Sequence, residues 1–299
     1  MRLAKVLGGV GRLLIWAGVI ILLFVGYQLW GTNLAEARAQ DDLESEFEGL
    51  LDGAPSTTTS TAPTTTQPDE TTTTTLADLP PVEPGEALAR IEIPAIGLDK
   101  IVVEGVGRGD LRKGPGHYPD TPLPGQPGNA AIAGHRTTYG APFNRIDELG
   151  DGDEIIVTTP QGRFVYEFAA QEIVDPSEVS VLEDKGDDRL TLTSCHPKYS
   201  ARQRIIVTAT LADEPAPPTV RPTRAVDQPV QLETIDGEET GPIGPVIWLG
   251  LIALAVWVFF YVLSRRWRRW PSYALGVIPF GVALFVWFGA LAELLPSNF

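Results

Sequence analysis

The sequence has a single cysteine, Cys195, in 299 residues. One cysteine excludes an intramolecular disulfide framework and any metal site built from several cysteines. Basic residues are also scarce, because 23 Lys and Arg stand against 38 Asp and Glu, which gives a net charge of −15. A nucleic-acid-binding protein normally carries a basic surface that neutralises phosphates, so we expect no nucleic-acid partner.

Charged residues are absent from three apolar runs, residues 13–30, 246–263 and 273–291. At a rise of about 1.5 Å per residue, each run nearly crosses a hydrocarbon layer of roughly 30 Å, so the sequence predicts three transmembrane α-helices. Basic residues mark the N-terminus (1–12) and the loop 264–272, and both segments are therefore expected in the cytoplasm. The tail 292–299 and the chain between the first two spans then lie outside it.

A cleaved signal peptide is the alternative for the first run, because Ala35-Glu36-Ala37 resembles a small-residue cleavage site. We favour an uncleaved anchor, since the apolar run exceeds the usual core of about 7–15 residues in a signal peptide.

The chain outside the spans divides by composition. Residues 31–85 are predicted to form a disordered extracytoplasmic stalk, because residues 56–75 contain twelve threonines and too little apolar area to fold. Residues 213–245, rich in proline and acids, are predicted to form a linker. The globular domain is therefore expected at 86–212.

That domain has a mainly β pattern. Alternation of polar and apolar residues and the intervening Gly and Pro clusters predict strands at Arg90–Ile93, Lys100–Val106, Asn129–Ala133, Glu154–Thr159, Arg163–Ile173, Arg189–Ser194 and Arg204–Leu211. The spacing of Phe143, Ile146 and Leu149 predicts a short helix over Pro142–Leu149. Many short strands with little helix favour a closed or nearly closed β-barrel.

Three residue types in this domain could support nucleophilic chemistry. Cys195 is predicted at a strand end because Pro197 should terminate its strand, His135 follows another strand, and Arg204 opens the last. A cysteine nucleophile needs a nearby cation to favour the thiolate and an acid to protonate the leaving group. An inert core cysteine and a structural histidine remain the alternative at this point.

Four ordered segments resemble the sortase family: Gly114–Pro119 (GPGHYP), Pro127–Arg136 (PGNAAIAGHR), Leu190–Cys195 (LTLTSC) and Arg204–Val207 (RIIV). The Gly-His-Tyr-Pro element and His196-Pro197 resemble the class E branch. The resemblance covers the domain and leaves out the spans and the stalk.

The resemblance implies a sortase-type eight-stranded β-barrel with short helices, placed here beside three transmembrane helices, and a cysteine transpeptidase activity. By motif position Cys195 matches the nucleophile, His135 the family histidine and Arg204 the arginine. Arg202 competes for the arginine role, because residues two apart point the same way along a strand. Ser194 stands where the family often has threonine.

The implied reaction is cleavage of a Thr–Gly bond in a C-terminal sorting signal of LPxTG or LAxTG type, followed by transfer to an amine of a peptidoglycan precursor. The partners would be sorting-signal proteins and that precursor, at the cell membrane of a Gram-positive-type envelope, with the domain outside the cytoplasm. A pilin polymerase with a lysine acceptor and a non-catalytic envelope scaffold are the alternatives.

Further residues are candidates for substrate binding, with structural roles as their alternatives: His117, Tyr118, Ser194, His196 and Tyr139. No metal site or cofactor is expected. The acidic stretch Glu183–Asp188 offers oxygen ligands for calcium, but it lacks an EF-hand pattern, and a solvated loop is the preferred interpretation.

Overall fold

The computed structural model of the protein describes residues 2–53, 82–218, 243–266 and 269–292, together with Leu294. The chain divides into two compact units, residues 1–35 with 236–299 and residues 36–235. The first unit is helical and the second is built on a β-barrel. The threonine-rich segment 56–75 and most of the predicted linker lie outside the described residues.

The helical unit consists of long apolar helices. Its elements are α1 (Arg2–Gly26), a π-helix (Tyr27–Gly31), the start of α2 (Thr32–Gly53), α4 (Ile243–Arg266) and α5 (Arg269–Ala292), whereas the short helix α3 (Arg108–Leu111) belongs to the second unit. Three helices, beginning at Leu7, Ile243 and Trp270, are long and apolar enough to cross a membrane. This confirms the predicted number of such helices, and their exposed apolar side chains suit a lipid environment better than water.

α4 and α5 run antiparallel. Trp287 Nε1 of α5 donates a hydrogen bond to the carbonyl of Val246 at the start of α4, at 3.0 Å. At the other end, Ser264 Oγ lies 3.2 Å from the hydroxyl of Tyr273. The two helices therefore form a hairpin about the predicted basic loop.

Residues 32–53 differ from their prediction. They form the helix α2, whereas the composition of 31–85 predicted a disordered stalk. The physical reason is an apolar face at helical spacing: Leu43 and Phe47 are buried in a cluster with Ala87, Ile101 and Val103 of the barrel. The threonine-rich part of segment 31–85 dominated its average composition, so the prediction missed the apolar helix face in residues 32–53.

The eight strands are β1 (Ala87–Ile93), β2 (Leu98–Glu104), β3 (Gly116–His117), β4 (Asn129–Ala133), β5 (Glu154–Thr159), β6 (Gly162–Val174), β7 (Arg189–His196) and β8 (Gln203–Leu211). They close into a barrel in the order β1-β2-β3-β4-β7-β8-β6-β5. The pairs β2–β3 and β4–β7 are parallel, and the described remaining pairs are antiparallel. The predicted eight-stranded barrel is confirmed.

Inward-facing side chains of most strands fill the barrel. The core includes the following fully buried residues: Ile91, Ile93, Val102, Ile132, Ile155, Val157, Leu190, Leu192, Ile205 and Val207. Their alternation along each strand is the period that predicted the strands, and burying them supplies most of the driving force for folding.

Two predicted boundaries need correction. The predicted helix over Pro142–Leu149 is reduced to a single 3-10 turn, Ile146–Glu148, because Asn144 Nδ2 instead donates to the carbonyl of Arg136 and ties the segment down as a loop. The domain also continues beyond residue 212: Ala216 is buried and its N–H donates to the carbonyl of Gly125 at 2.7 Å. Its connections with the barrel place at least 213–218 in this domain.

Candidate active site

The ends of three adjacent strands bring the predicted residues together. β4 and β7 are parallel neighbours, paired up to Ala133 and Thr193, and Gly134 N–H donates to the carbonyl of Thr193 at 3.1 Å. His135 and Cys195 follow this last pair, two residues further along each strand. Parallel strands end at the same edge of a sheet, so the two residues emerge side by side.

Arg204 completes the row. In the antiparallel pair β7–β8, Arg204 lies directly opposite Cys195. Side chains of directly opposed residues share one face, with their Cβ atoms about 4.5–5.5 Å apart. The rival candidate, Arg202, precedes β8 and is exposed. The register therefore favours Arg204, which is fully buried.

The guanidinium of Arg204 is held by its own turn. Its Nη1 donates to the carbonyls of Ala201 and Gln203, each at 3.1 Å. A buried guanidinium fixed in this way is a preorganised positive charge, because its position is set before any ligand arrives.

Cys195 lies at the edge of the barrel. It is 9% exposed and belongs to none of the three apolar clusters among the described residues. The inert core cysteine that the residues alone left open would pack inside such a cluster. A thiol at a strand end, next to a buried cation, is instead in a position where a thiolate can be stabilised and reached.

Ser194 and Tyr118 brace the strand that carries the cysteine. Ser194 Oγ donates to the carbonyl of Gly134 at 2.7 Å, and Tyr118 OH lies 3.2 Å from Thr193 Oγ1. Ser194 and Tyr118 are both buried. The Ser194 bond therefore joins the residues that precede Cys195 and His135, and Tyr118 supports the cysteine strand. Two of the predicted substrate-binding residues thus have bracing positions in the structure.

His117 is placed away from solvent. It is fully buried on β3, its Nδ1 lies 3.0 Å from Glu104 Oε2, and its Nε2 lies 2.9 Å from the carbonyl of Pro122. A ring with both nitrogens engaged inside the protein links β2, β3 and the following loop. The structure thus gives His117 a bracing position.

His196 follows the cysteine at the end of β7, opposite Gln203, and is partly buried. Its Nδ1 is buried and has no hydrogen-bond partner within the part of the chain that the structure describes. The residue thus remains available for a contact that the described residues do not supply.

Tyr139 lies beside His135. The two ring centroids are 5.1 Å apart, within the usual range for interacting aromatic rings. On the tyrosine ring lies the guanidinium of Arg112, with Cζ 5.6 Å from the ring centroid, in cation–π geometry. The result is a column of Arg112, Tyr139 and His135.

The environment of His135 lowers its basicity. Burial lowers the pKa of His135 to about 4, and the positive charges of Arg112 and Arg108 act in the same direction. Each of these effects disfavours a positive charge on the ring. At neutral pH the imidazole is therefore uncharged, and its unprotonated nitrogen can accept a proton.

Arg136 is a site residue that the sequence reasoning missed. It is buried, its Nη2 lies 2.7 Å from Asp147 Oδ1, and its Nε and Nη1 have no hydrogen-bond partner among the described residues. Burial lowers the pKa of Arg136, whereas the negative charges of Asp147 and Cys195 raise it. The thiol thus has a second cation in electrostatic range. The sequence feature that could have pointed to Arg136 is its position directly after His135.

The acidic stretch Glu183–Asp188 does not assemble a cluster. Asp184 and Asp188 accept hydrogen bonds from the backbone N–H of Gly186 and Gly128, and Asp187 pairs with Arg189. In the described part of the chain, no group of three or more His, Cys, Asp or Glu residues could hold a metal ion.

Comparison with known proteins identifies the domain. A family model described as "Sortase domain" matches residues 91–212. Sortase SrtE1 of Streptomyces coelicolor is 32% identical over 222 residues, 69% of this chain and 57% of that protein. Sortase D of Bacillus subtilis is 37% identical over 116 residues, 38% of this chain and 57% of that protein. The chain thus spans a little over half the length of these two relatives.

Among solved structures, sortase E from Streptomyces avermitilis is 36% identical, with a TM-score of 0.41, over 46% of this chain and 93% of that one. The family match includes His135, Cys195 and Arg204 within its bounds. The resemblance first seen in four short segments is confirmed, and residues 91–212 of the chain form a sortase domain.

Proposed function

We propose that this protein is a membrane-anchored cysteine transpeptidase that cleaves the Thr–Gly bond of a C-terminal sorting signal and joins the protein to an amine of a cell-wall precursor. The observation that carries the proposal is the alignment of His135, Cys195 and Arg204 at the ends of three adjacent strands. A nucleophile, a proton carrier and a fixed cation are the groups that acyl transfer requires.

The first half of the reaction forms a thioester. Because its pKa is about 4, neutral His135 accepts the thiol proton of Cys195 as the sulfur attacks the threonine carbonyl carbon. The carbonyl oxygen gains negative charge, which the Arg204 guanidinium stabilises. The C–N bond then breaks, and the imidazolium returns the proton to the departing glycine amine.

The second half reverses these steps with a new amine. The acceptor amine attacks the thioester carbon and gives a proton to His135, the C–S bond breaks, and Cys195 recovers a proton. Water in place of the amine gives hydrolysis. Transfer thus depends on an amine reaching the thioester before water does.

The setting of the domain supports an envelope function. Three helices long and apolar enough to span a membrane lie outside the sortase domain in sequence. The basic residues at the N-terminus and in the loop 264–272 favour the cytoplasm for those segments, which leaves the domain on the outer side. Sorting-signal proteins and a peptidoglycan precursor of a Gram-positive-type envelope are the partners that this arrangement would meet.

The test uses peptides that carry LPxTG and LAxTG motifs with the full-length protein. Cys195→Ala should abolish cleavage while circular dichroism stays unchanged, and a thioester adduct should appear by mass spectrometry only when Cys195 is present. Because Cys195 is the only cysteine in the sequence, a thiol probe reports on this site alone. Cleavage that persists in Cys195→Ala would refute the mechanism.

The acceptor is identified by the same assay. Adding a stem-peptide amine should give a ligated product, whereas a pilin polymerase would prefer a lysine side chain in a folded protein. An envelope scaffold would give neither product and would leave Cys195 unreactive toward iodoacetamide at neutral pH.

A further inference from the structure

Glu36 is a buried carboxylate on α2, outside the segment that the family model matches. It is 2% exposed, and its Oε1 accepts a hydrogen bond from Lys100 Nζ of β2 at 2.6 Å. Burial raises the pKa of Glu36, and Lys100 opposes that effect. Burying an ion pair costs desolvation energy, so the buried position of Glu36 needs an explanation that a solvent-exposed carboxylate would not need.

The same carboxylate lies against the loop that follows His135. A Cβ placed on Gly140 would be 2.5 Å from Glu36 Cδ and from its Oε2. Only a residue without a side chain allows so close an approach. The loop and the helix therefore meet at Gly140.

This loop has an unusual backbone at the point of contact. Tyr139, Gly140 and Ala141 have φ values of 50°, 73° and 44°, in the left-handed region. That region is unfavourable for residues with a Cβ, so two of the three residues need outside contacts to hold their conformation. Glu36 contacts the glycine that lies between these two residues.

Tyr139 connects Gly140 to the catalytic histidine. Its ring lies 5.1 Å from the ring of His135 and under the guanidinium of Arg112. A change in the backbone at Gly140 would turn this ring and alter the packing of the imidazole. Contacts thus run without interruption from α2 through the loop to His135.

We propose that Glu36 is a positioning residue for His135, acting through Gly140 and Tyr139, so that α2 is part of the active-site support. Glu36 does not touch the reacting atoms. By holding the loop in place it keeps the imidazole buried, and this burial keeps the ring uncharged. The inference rests on the function proposed above for its activity readout, but its structural readouts are independent of any substrate.

The chain offers a matched control on the same helix. Glu46 Oε1 accepts a hydrogen bond from the backbone N–H of Ala87 on β1 at 3.1 Å. Like Glu36, Glu46 ties α2 to the barrel through a carboxylate. No described hydrogen bond or ion pair of Glu46 reaches the 135–141 loop. Glu46→Ala therefore reports the cost of loosening the helix alone.

The experiment compares Glu36→Ala and Glu46→Ala in the full-length protein in micelles. NMR titration of histidine ring protons, with His135 assigned from a His135→Gln variant, should show the His135 pKa rising by at least one unit in Glu36→Ala and not in Glu46→Ala. Sorting-peptide cleavage should lose at least tenfold in kcat with KM changed less than twofold. Glu36→Gln should recover part of both effects, since the amide keeps the size and an acceptor oxygen.

Equal effects of the two alanine variants, or an unmoved His135 pKa in Glu36→Ala, would overturn the proposal. If Glu36→Ala does not fold, the same measurements on Glu36→Gln decide, with a pKa rise of at least half a unit required. If the wild-type protein cleaves no peptide but the His135 pKa still responds to Glu36, the positioning role stands and the proposed function fails.

Discussion

Arg204 lies directly opposite Cys195 across the β7–β8 pair, and the chain's own carbonyls at Ala201 and Gln203 hold its guanidinium in place. The register of the β7–β8 pair therefore determines that the positive charge of Arg204 lies near the sulfur of Cys195. A shift of one residue would put the guanidinium on the other face of the sheet. The arrangement therefore leads to predictions that separate Arg204 from its neighbours.

Arg204→Lys should lower kcat/KM for peptide cleavage by about 10²-fold or more, because a lysine ammonium cannot reproduce the fixed fork of a guanidinium. The matched control is Arg202→Lys, which should change kcat/KM less than twofold because Arg202 is exposed and precedes the strand. Steady-state kinetics on both variants make the comparison. Equal losses of kcat/KM in the two variants would contradict the assignment of the catalytic arginine to Arg204 rather than Arg202.

The pH dependence of cleavage should reflect the low pKa of His135. The active form is the neutral imidazole, which predominates above its pKa, so the rate should fall on acidification only near pH 4 and not near 6.5. Arg112→Gln should move this acidic limb to higher pH, since it removes a nearby positive charge. Measurement of kcat/KM from pH 3.5 to 8, with circular dichroism at each pH, provides the check.

A rate that increases as the pH falls through the histidine pKa would instead identify the imidazolium as the active form.

The pH dependence of folding stability gives a second measure of the lowered His135 pKa. Between pH 6.5 and about 4 the unfolded chain binds more protons at this residue than the folded one, so stability should decline as the pH falls through this range. His135→Gln should flatten that decline.

Arg136 should contribute to the reactivity of Cys195. Removing its charge in Arg136→Gln disfavours the thiolate, so the pH profile of iodoacetamide alkylation should shift upward by about one unit. Arg145→Gln is the control, because Arg145 is an exposed arginine in the same loop that pairs with Glu148. An unshifted profile in Arg136→Gln would show that its charge does not reach the sulfur.

Gly134 should resist substitution for a steric reason. A Cβ there would lie 2.6 Å from Phe143 Cδ2, and Phe143 is fully buried, so Gly134→Ala should cost about 1–3 kcal/mol of unfolding free energy. Gly150→Ala adds a methyl group to open space and should be neutral or stabilising by up to about 1 kcal/mol. Chemical denaturation of both variants tests the pair, and equal stabilities would contradict the packing argument.

Much of the barrel was predictable because the side chains that face its interior recur at every second position of a strand, and Gly and Pro clusters mark where the strands end. β4 and β5 begin and end at the predicted residues, Asn129–Ala133 and Glu154–Thr159. β3 was not predicted, since two residues, Gly116 and His117, show no period. The short helix predicted over Pro142–Leu149 was wrong because the side chains of Asn144 and Arg145 donate to the carbonyls of Arg136 and Ile96 and hold that segment as a loop.

The order of amino acids is enough to show which residues are available for chemistry: one cysteine, three histidines, and ordered motifs that place Cys195 and His135 at strand ends. The sequence also predicts the three apolar helices, because a run of residues without charge can be recognised from the local sequence. The folded arrangement was needed to show that Arg204 lies opposite Cys195, that burial and two arginines keep His135 uncharged, and that Glu36 of α2 reaches Gly140. These relationships join residues far apart in the chain, and their energies depend on burial and distance, which no local pattern encodes.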